Sequence, residues 1–196
     1  TGLGGRFDAT NVIARPALTA ITPISIDHTH FLGDTVAAIA GEKAGILKPG
    51  VECVVAAQTA EAAAVIAARA SEIGAPLARH DQDWRLHGMT YADARGAMVL
   101  PEPGLAGRHQ VENAALAVAC VRHLRAFNFS AQDIVTGVRR ASWPARLQRL
   151  IDGKLNELLP KNWQLWLDGG HNPAAAARLA EVLADWAGDP VDLVVG

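Results

Sequence analysis

The stretch Ala17-Leu18-Thr19-Ala20-Ile21-Thr22-Pro23-Ile24-Ser25-Ile26 and the later run Val51-Glu52-Cys53-Val54-Val55-Ala56-Ala57 decide the fold. Both are rich in β-branched residues, as buried strands are. Between them, Asp34 or Thr35 can cap a helix running to about Ile46, and Lys48-Pro49-Gly50 stops it. An alanine-rich helix over residues 61–73 follows the second run. Strands and helices that alternate in this way predict a parallel α/β sheet.

Outward from there the pattern changes. Residues 76–103 carry Trp84, His87, Tyr91 and scattered turn formers with short alternating stretches, which predicts a small antiparallel β segment. Residues 107–126 return to helix, with Val111, Ala114, Ala115, Val118 and Val121 along one face. A second helix is expected over residues 131–140. Ser142-Trp143-Pro144 marks a domain boundary, because a proline disfavours helix at the residue before it. Beyond it, residues 164–167 read as a strand, 173–186 as a helix and 191–195 as another strand. A right-handed parallel crossover needs about thirty residues, which this unit supplies.

The 196 residues are half apolar, enough to bury a substantial core in one large or two small domains. The net charge of -2 provides no basic footprint for nucleic acid. Cys53 and Cys120 lie far apart in apolar surroundings, so they read as core thiols of a reducing cytoplasm, not as a disulfide or zinc framework. No apolar run is long enough to span a bilayer, and Thr1-Gly2-Leu3-Gly4-Gly5 lacks the pattern of a signal peptide. An opening on a glycine turn and an ending on Val191-Asp192-Leu193-Val194-Val195-Gly196 predict a piece of a longer protein.

Several motifs bear on chemistry. Gly2-Leu3-Gly4-Gly5-Arg6-Phe7-Asp8-Ala9-Thr10-Asn11 is neither a dinucleotide fingerprint nor a phosphate loop, and by itself fits a tight turn. Asp27-His28-Thr29-His30-Phe31-Leu32-Gly33 follows the first strand, where open α/β sheets form their ligand crevice. Glu42-Lys43-Ala44-Gly45-Ile46-Leu47-Lys48 closes the first helix. Read singly, His28 is as well explained as a structural histidine, and Lys43 as a solvated charge.

Together these blocks resemble the folylpolyglutamate synthase/dihydrofolate synthase family of the Mur ligase superfamily. Three further blocks are similar in the same order: Gly107-Arg108-His109-Gln110-Val111-Glu112-Asn113-Ala114-Ala115, Pro144-Ala145-Arg146-Leu147-Gln148, and Leu167-Asp168-Gly169-Gly170-His171-Asn172-Pro173. The resemblance implies a Mur-ligase-like central ATPase domain over residues 1–142, in part, and the start of a Rossmann-like C-terminal domain over 143–196. It implies a cytoplasmic, monomeric enzyme that binds neither nucleic acid nor membrane and joins L-glutamate to dihydropteroate or a folate with ATP and Mg2+. It also puts a phosphate loop and a second metal-ligating glutamate before Thr1, so that the piece alone is expected to be inactive.

By the same resemblance His28 would ligate magnesium and Lys43 would carry a carbamate from CO2. Phe7, Asp8 and Ala9 would contact the pterin, Asn113 the adenine and Arg146 the phosphates. Asp168 would hold the nucleotide, with His171 near the phosphates. The residues themselves leave Asp8 open between a pterin acceptor and an Asx turn, and they favour Asn172 as a helix cap before Pro173. His30, Ala145 and Gly170 depart from the family's usual aspartate, glycine and alanine. The rival readings are another Mur-type ligase acting on a cell-wall precursor, which Phe7-Asp8-Ala9 argues against, and a non-catalytic binding protein that keeps the fold.

Overall fold

The computed structural model describes residues 3–186, 188 and 190–196. They form two compact units, Thr1–Gly104 with Gln110–Ala141, and Leu105–His109 with Ser142–Gly196.

In the first unit, a 3-10 turn at Ala9–Val12 precedes strand β1 (Thr19–Ile21), the short helix α1 (Thr29–Leu32) and helix α2 (Val36–Ala44). Strand β2 (Cys53–Val55), helix α3 (Ala60–Ile73) and strand β3 (Leu77–Arg79) follow. The three strands are parallel in the order β1-β2-β3, with Thr19 opposite Cys53 and Cys53 opposite Leu77. Helix α2 starts where the Thr35 side chain accepts from the Ala38 N–H, and α3 where Thr59 accepts from Ala62. Such caps satisfy N–H groups that a first turn leaves without partners. Gly74 closes α3 in the left-handed conformation.

Both faces of the sheet are covered, which explains the unbroken apolar run at β2. Cys53 and Val55 join the cluster of Ile39, Ala40, Ala44, Ile66 and Ala70 from α2 and α3. Val54 points the other way, into a cluster with Trp84, Tyr91, Leu100, Ala115 and Val118.

The first strand is shorter than the ten residues its composition predicts. After Ile21, Pro23 has no N–H to offer a ladder, and the Gln58 side chain takes over the pairing. Its Nε2 donates to the Thr22 carbonyl at 2.9 Å and its Oε1 accepts from the Ile24 N–H at 3.1 Å. One side-chain amide thereby replaces a neighbouring strand.

The expected antiparallel segment is present as β4 (Trp84–His87), β5 (Thr90–Asp93) and β6 (Gly96–Val99). It begins later than residue 76, because Leu77–Arg79 belongs to the parallel sheet as β3. Helix α4 (His109–His123) buries Ala115, Leu116, Val118 and Ala119. Arg122 near its end donates to Asp93 Oδ1 at 2.7 Å and to the Gly96 carbonyl, while Asp93 Oδ2 accepts from the buried Tyr91 hydroxyl. This network ties the antiparallel sheet to α4. Helix α5 (Ala131–Arg140) opens with a reciprocal capping box between Ser130 and Asp133.

The second unit contains β7 (Gln148–Leu150), α6 (Lys154–Glu157), β8 (Leu165–Leu167) and α7 (Pro173–Asp185). Strands β7 and β8 pair antiparallel. The expected parallel crossover is therefore corrected: residues 191–195 form no strand, and Val194 and Val195 are exposed. A strand exists only where a neighbour meets its N–H and C=O groups, and β8 pairs with β7 instead. No helix among the described residues is long and apolar enough to cross a membrane.

Candidate functional site

The glycine loop and the end of α2 are built against each other. The Arg6 N–H donates to the Glu42 carbonyl at 3.1 Å, and Asn11 Nδ2 donates to the carbonyls of Arg6 and Gly45. A Cβ on Gly5 would lie 2.3 Å from the Lys43 carbonyl oxygen and 2.7 Å from that of Glu42. A Cβ on Gly45 would lie 2.7 Å from both the Cβ and the backbone nitrogen of Arg6. Each glycine is thus required by the other segment's backbone. The two blocks that looked separate in sequence form one interlocked piece, with the half-buried Lys43 on its helical side.

Asp8 caps the 3-10 turn: its Oδ1 accepts from the Thr10 N–H at 2.8 Å and from the Thr10 hydroxyl at 2.6 Å. Of the two roles left open for Asp8, the local turn is the one seen in the fold. Phe7 beside it is 86% exposed, a bare ring on a fixed loop, and Ala9 is exposed as well.

His28 does not directly follow β1, which ends at Ile21; it is the N-cap residue of α1. Its φ of 48° and ψ of 41° put it in the left-handed region, where histidine is enriched several-fold over most non-glycine residues. The Asp27 carboxylate holds this turn, with Oδ1 accepting from the His28 N–H at 2.8 Å and Oδ2 lying 3.6 Å from Nε2. Asp27 was not singled out from the sequence. Its adjacency to His28 was visible there, but the bend that turns both polar groups to one side was not.

On α4, Asn113 is exposed and Gln110, one turn earlier, is only 6% exposed. Asn113 Nδ2 donates to Gln110 Oε1 at 3.0 Å. A glutamine buried on the inner face of a helix that is otherwise alanine, leucine and valine there is the second residue the motif reading passed over.

In the second unit, Arg146 is exposed between two residues of positive φ, Ala145 at 56° and Leu147 at 43°. Glycine adopts such angles freely and alanine does not. Four hydrogen bonds hold the loop. Gln148 Oε1 accepts from the Ala145 N–H, the Ala145 carbonyl from Gly169, Asp168 Oδ2 from Leu147 and Asp168 Oδ1 from Gly170. Asp168 therefore ties the 145–148 loop to the loop after β8 through one oxygen and folds the latter loop upon itself through the other. His171 lies 3.0 Å through Nδ1 from the Gly169 carbonyl and is exposed. Asn172 accepts from the Ala175 N–H as the cap of α7, with Pro173 in the first turn, as its sequence position suggested.

A cleft of about 600 Å³ runs between the glycine loop, α2 and α3, lined by Arg6, Gly41, Glu42, Arg69 and Glu72. Its charges pair off, Arg6 with Glu42 at 3.7 Å and Arg69 with Glu72 at 2.7 Å.

No family model matches the chain. Individual proteins do. It is 33% identical to the folylpolyglutamate synthase of Lacticaseibacillus casei over all of its own length and 46% of that protein. It is 36% identical to the dihydrofolate synthase/folylpolyglutamate synthase of Bacillus subtilis, covering 93% of this chain and 43% of that one. Among solved structures, a folylpolyglutamate synthase–AMPPCP–folate complex superposes with a TM-score of 0.81 at 32% identity, over 97% of this chain and 47% of that one. Escherichia coli FolC with DHPP and ADP gives 0.79 at 30% identity, over 96% and 43%. The fold is thus the mixed α/β, Mur-ligase-like class. Within it, the chain is homologous over its whole length to the folylpolyglutamate synthase/dihydrofolate synthase family, and it spans about half the length of the curated relatives it matches.

Proposed function

We propose that the protein containing this chain is an ATP-dependent ligase that joins L-glutamate to dihydropteroate or to a folate. The observation that carries the reading is whole-length homology to proteins of that name, one of whose relatives was solved with manganese, AMPPNP and L-glutamate bound. The interlocked glycine loop and α2 end support it, because they make one rigid base from two blocks of the family pattern.

In this reading, residues 1–142 form part of the central ATP-binding domain and residues 143–196 the beginning of the ligase's C-terminal domain. Transfer of the γ-phosphoryl group to the acceptor carboxylate gives an acyl phosphate and ADP. The glutamate amine then attacks the carbonyl carbon and loses a proton, and phosphate departs as the amide forms. Magnesium, when bound, neutralises charge on the phosphoryl oxygens. His28 would hold it, and the donor set fits: the imidazole lies beside the Asp27 carboxylate, and magnesium keeps several waters and needs few protein ligands. A carbamate on Lys43 would replace a repelling ammonium with oxygen donors.

Arg146 offers a planar fork of donors suited to phosphate oxygens, and its loop is already held in place by Asp168 and Gln148. Asp168 would approach the nucleotide, His171 its phosphates and Asn113 the adenine. Phe7 would stack on the pterin, with Asp8 and Ala9 shaping the loop beneath it. The enzyme would work as a cytoplasmic monomer on small molecules.

The test is glutamate-dependent ADP release by the full-length protein with dihydropteroate and with folate. Lys43→Ala and His28→Ala should each lower the rate by about a hundred-fold or more. No glutamate-dependent release with either acceptor would end the proposal.

A further inference from the structure

We infer that Gln110 is a positioning residue that sets the base preference of the nucleotide site by locking the orientation of the Asn113 amide. The inference rests on the proposed contact of Asn113 with adenine.

The argument begins with the helix. Positions three apart on α4 share a face, so Gln110 and Asn113 are neighbours by geometry. Gln110 is one of few polar side chains buried in the first unit. Burying a neutral amide costs free energy unless its polar atoms are bonded, and its Oε1 accepts from Asn113 Nδ2 at 3.0 Å. Asn113 itself is exposed, and among the described residues nothing else hydrogen-bonds its side chain.

A terminal amide has two orientations, related by a half turn, that differ only in exchanging oxygen for nitrogen. With its oxygen turned toward Asn113, as it stands in this fold, Gln110 selects one. With one N–H committed to Gln110, Asn113 presents its second N–H and its carbonyl oxygen in a fixed order. That donor–acceptor pair complements a purine edge with a ring-nitrogen acceptor beside an amino donor, as in adenine. Inosine carries a carbonyl where adenine carries the amino group, and it would set two acceptors against each other. Without Gln110 the amide turns over and accommodates either base.

The experiment compares kcat/KM for ATP and inosine triphosphate in the full-length protein, by glutamate-dependent release of the nucleoside diphosphate. Gln110→Leu, close in size but without an acceptor, should reduce the preference for ATP by about ten-fold, with kcat at saturating ATP nearly unchanged. Gln110→Glu keeps an acceptor oxygen and should keep the preference. In an Asn113→Ala background, Gln110→Leu should change the ratio no further, since the two residues act as one unit. That background also supplies the answer if Gln110→Leu alone melts too low to assay, because Gln110→Met can then be compared with and without Asn113.

An unchanged ratio in an active, folded Gln110→Leu enzyme overturns the inference and leaves the ligase reading intact. A wild-type protein that binds ATP without preferring it to inosine triphosphate overturns the adenine contact. One that binds no ATP overturns both.

Discussion

Adding a single methyl group at Gly5 tests the interlock between the glycine loop and α2. The Cβ of Gly5→Ala would stand 2.3 Å from the Lys43 carbonyl oxygen, 2.7 Å from that of Glu42 and 2.8 Å from the Lys43 carbonyl carbon. All three are backbone atoms of a capped helix, so no side chain can rotate away. Bringing the nearest contact to an ordinary separation of 3.4 Å requires a shift of about 1.1 Å, the difference between 3.4 and 2.3. A shift of that size breaks the 3.1 Å hydrogen bond from Arg6 to Glu42 and disturbs the 3.2 Å bond from Asn11 to Gly45. Overpacking of this kind costs about 1–3 kcal/mol and each lost hydrogen bond about 1 kcal/mol, so about 3 kcal/mol is expected.

At this chain length, such a loss lowers the melting midpoint by about 6–12 °C. Gly41→Ala is the matched control. Gly41 lies within α2 with nothing near its missing Cβ, so alanine there should stabilise by about 0.5–1 kcal/mol. Thermal unfolding of both variants, with glutamate-dependent turnover of the full-length protein as a second readout, checks the pair. A Gly5→Ala protein that melts with the parent would mean that the two segments are not locked.

Three other outcomes are expected. Arg122→Met removes the cation from the 5%-exposed side chain of Asp93 and strands a buried charge, so chemical denaturation should show a loss of about 3 kcal/mol. A loss below about 1 kcal/mol would count against the network. Ala145→Gly should hold or raise the melting midpoint, by up to about 3 °C, because the strain of a left-handed alanine outweighs glycine's added freedom; a clear fall would refute the assigned backbone. Burial pushes the thiols of Cys53 and Cys120 up to about 11, so at pH 8 both should resist a thiol reagent until the protein unfolds, and rapid native-state labelling would contradict that packing.

What could be read from the sequence was set by local chemistry. Thr35 and Gly45 bound α2 almost where the caps predicted, and α5 occupies its expected residues, because such signals act over one turn. The boundaries that failed depend on distant partners. Leu77–Arg79 pairs with β2 across a whole helix, and nothing local distinguishes it from the β segment that follows. The 191–195 run has the composition of a strand, but composition cannot supply a neighbour. The candidate site divides in the same way. Each motif could be seen in sequence, including the Asn172 cap, whereas the fit of Gly5 against Glu42 and Lys43 and of Gly45 against Arg6 arises only when separate segments meet. The left-handed bend at His28 and the bond from Asn113 to Gln110 are local choices of backbone and rotamer that residue types alone do not announce.

The Gln58 amide has a mechanical consequence. Residues 22–24 take their bearing from a side chain anchored beside the first turn of α3, so the path that leads on to Asp27 and His28 is guyed to that helix like a mast to its stay. Any displacement of the start of α3 is transmitted to this path through one flexible linkage rather than through a stiff ladder. The turn carrying the two polar groups is therefore tied to the start of α3 by two hydrogen bonds of one amide, and not to the sheet by a ladder.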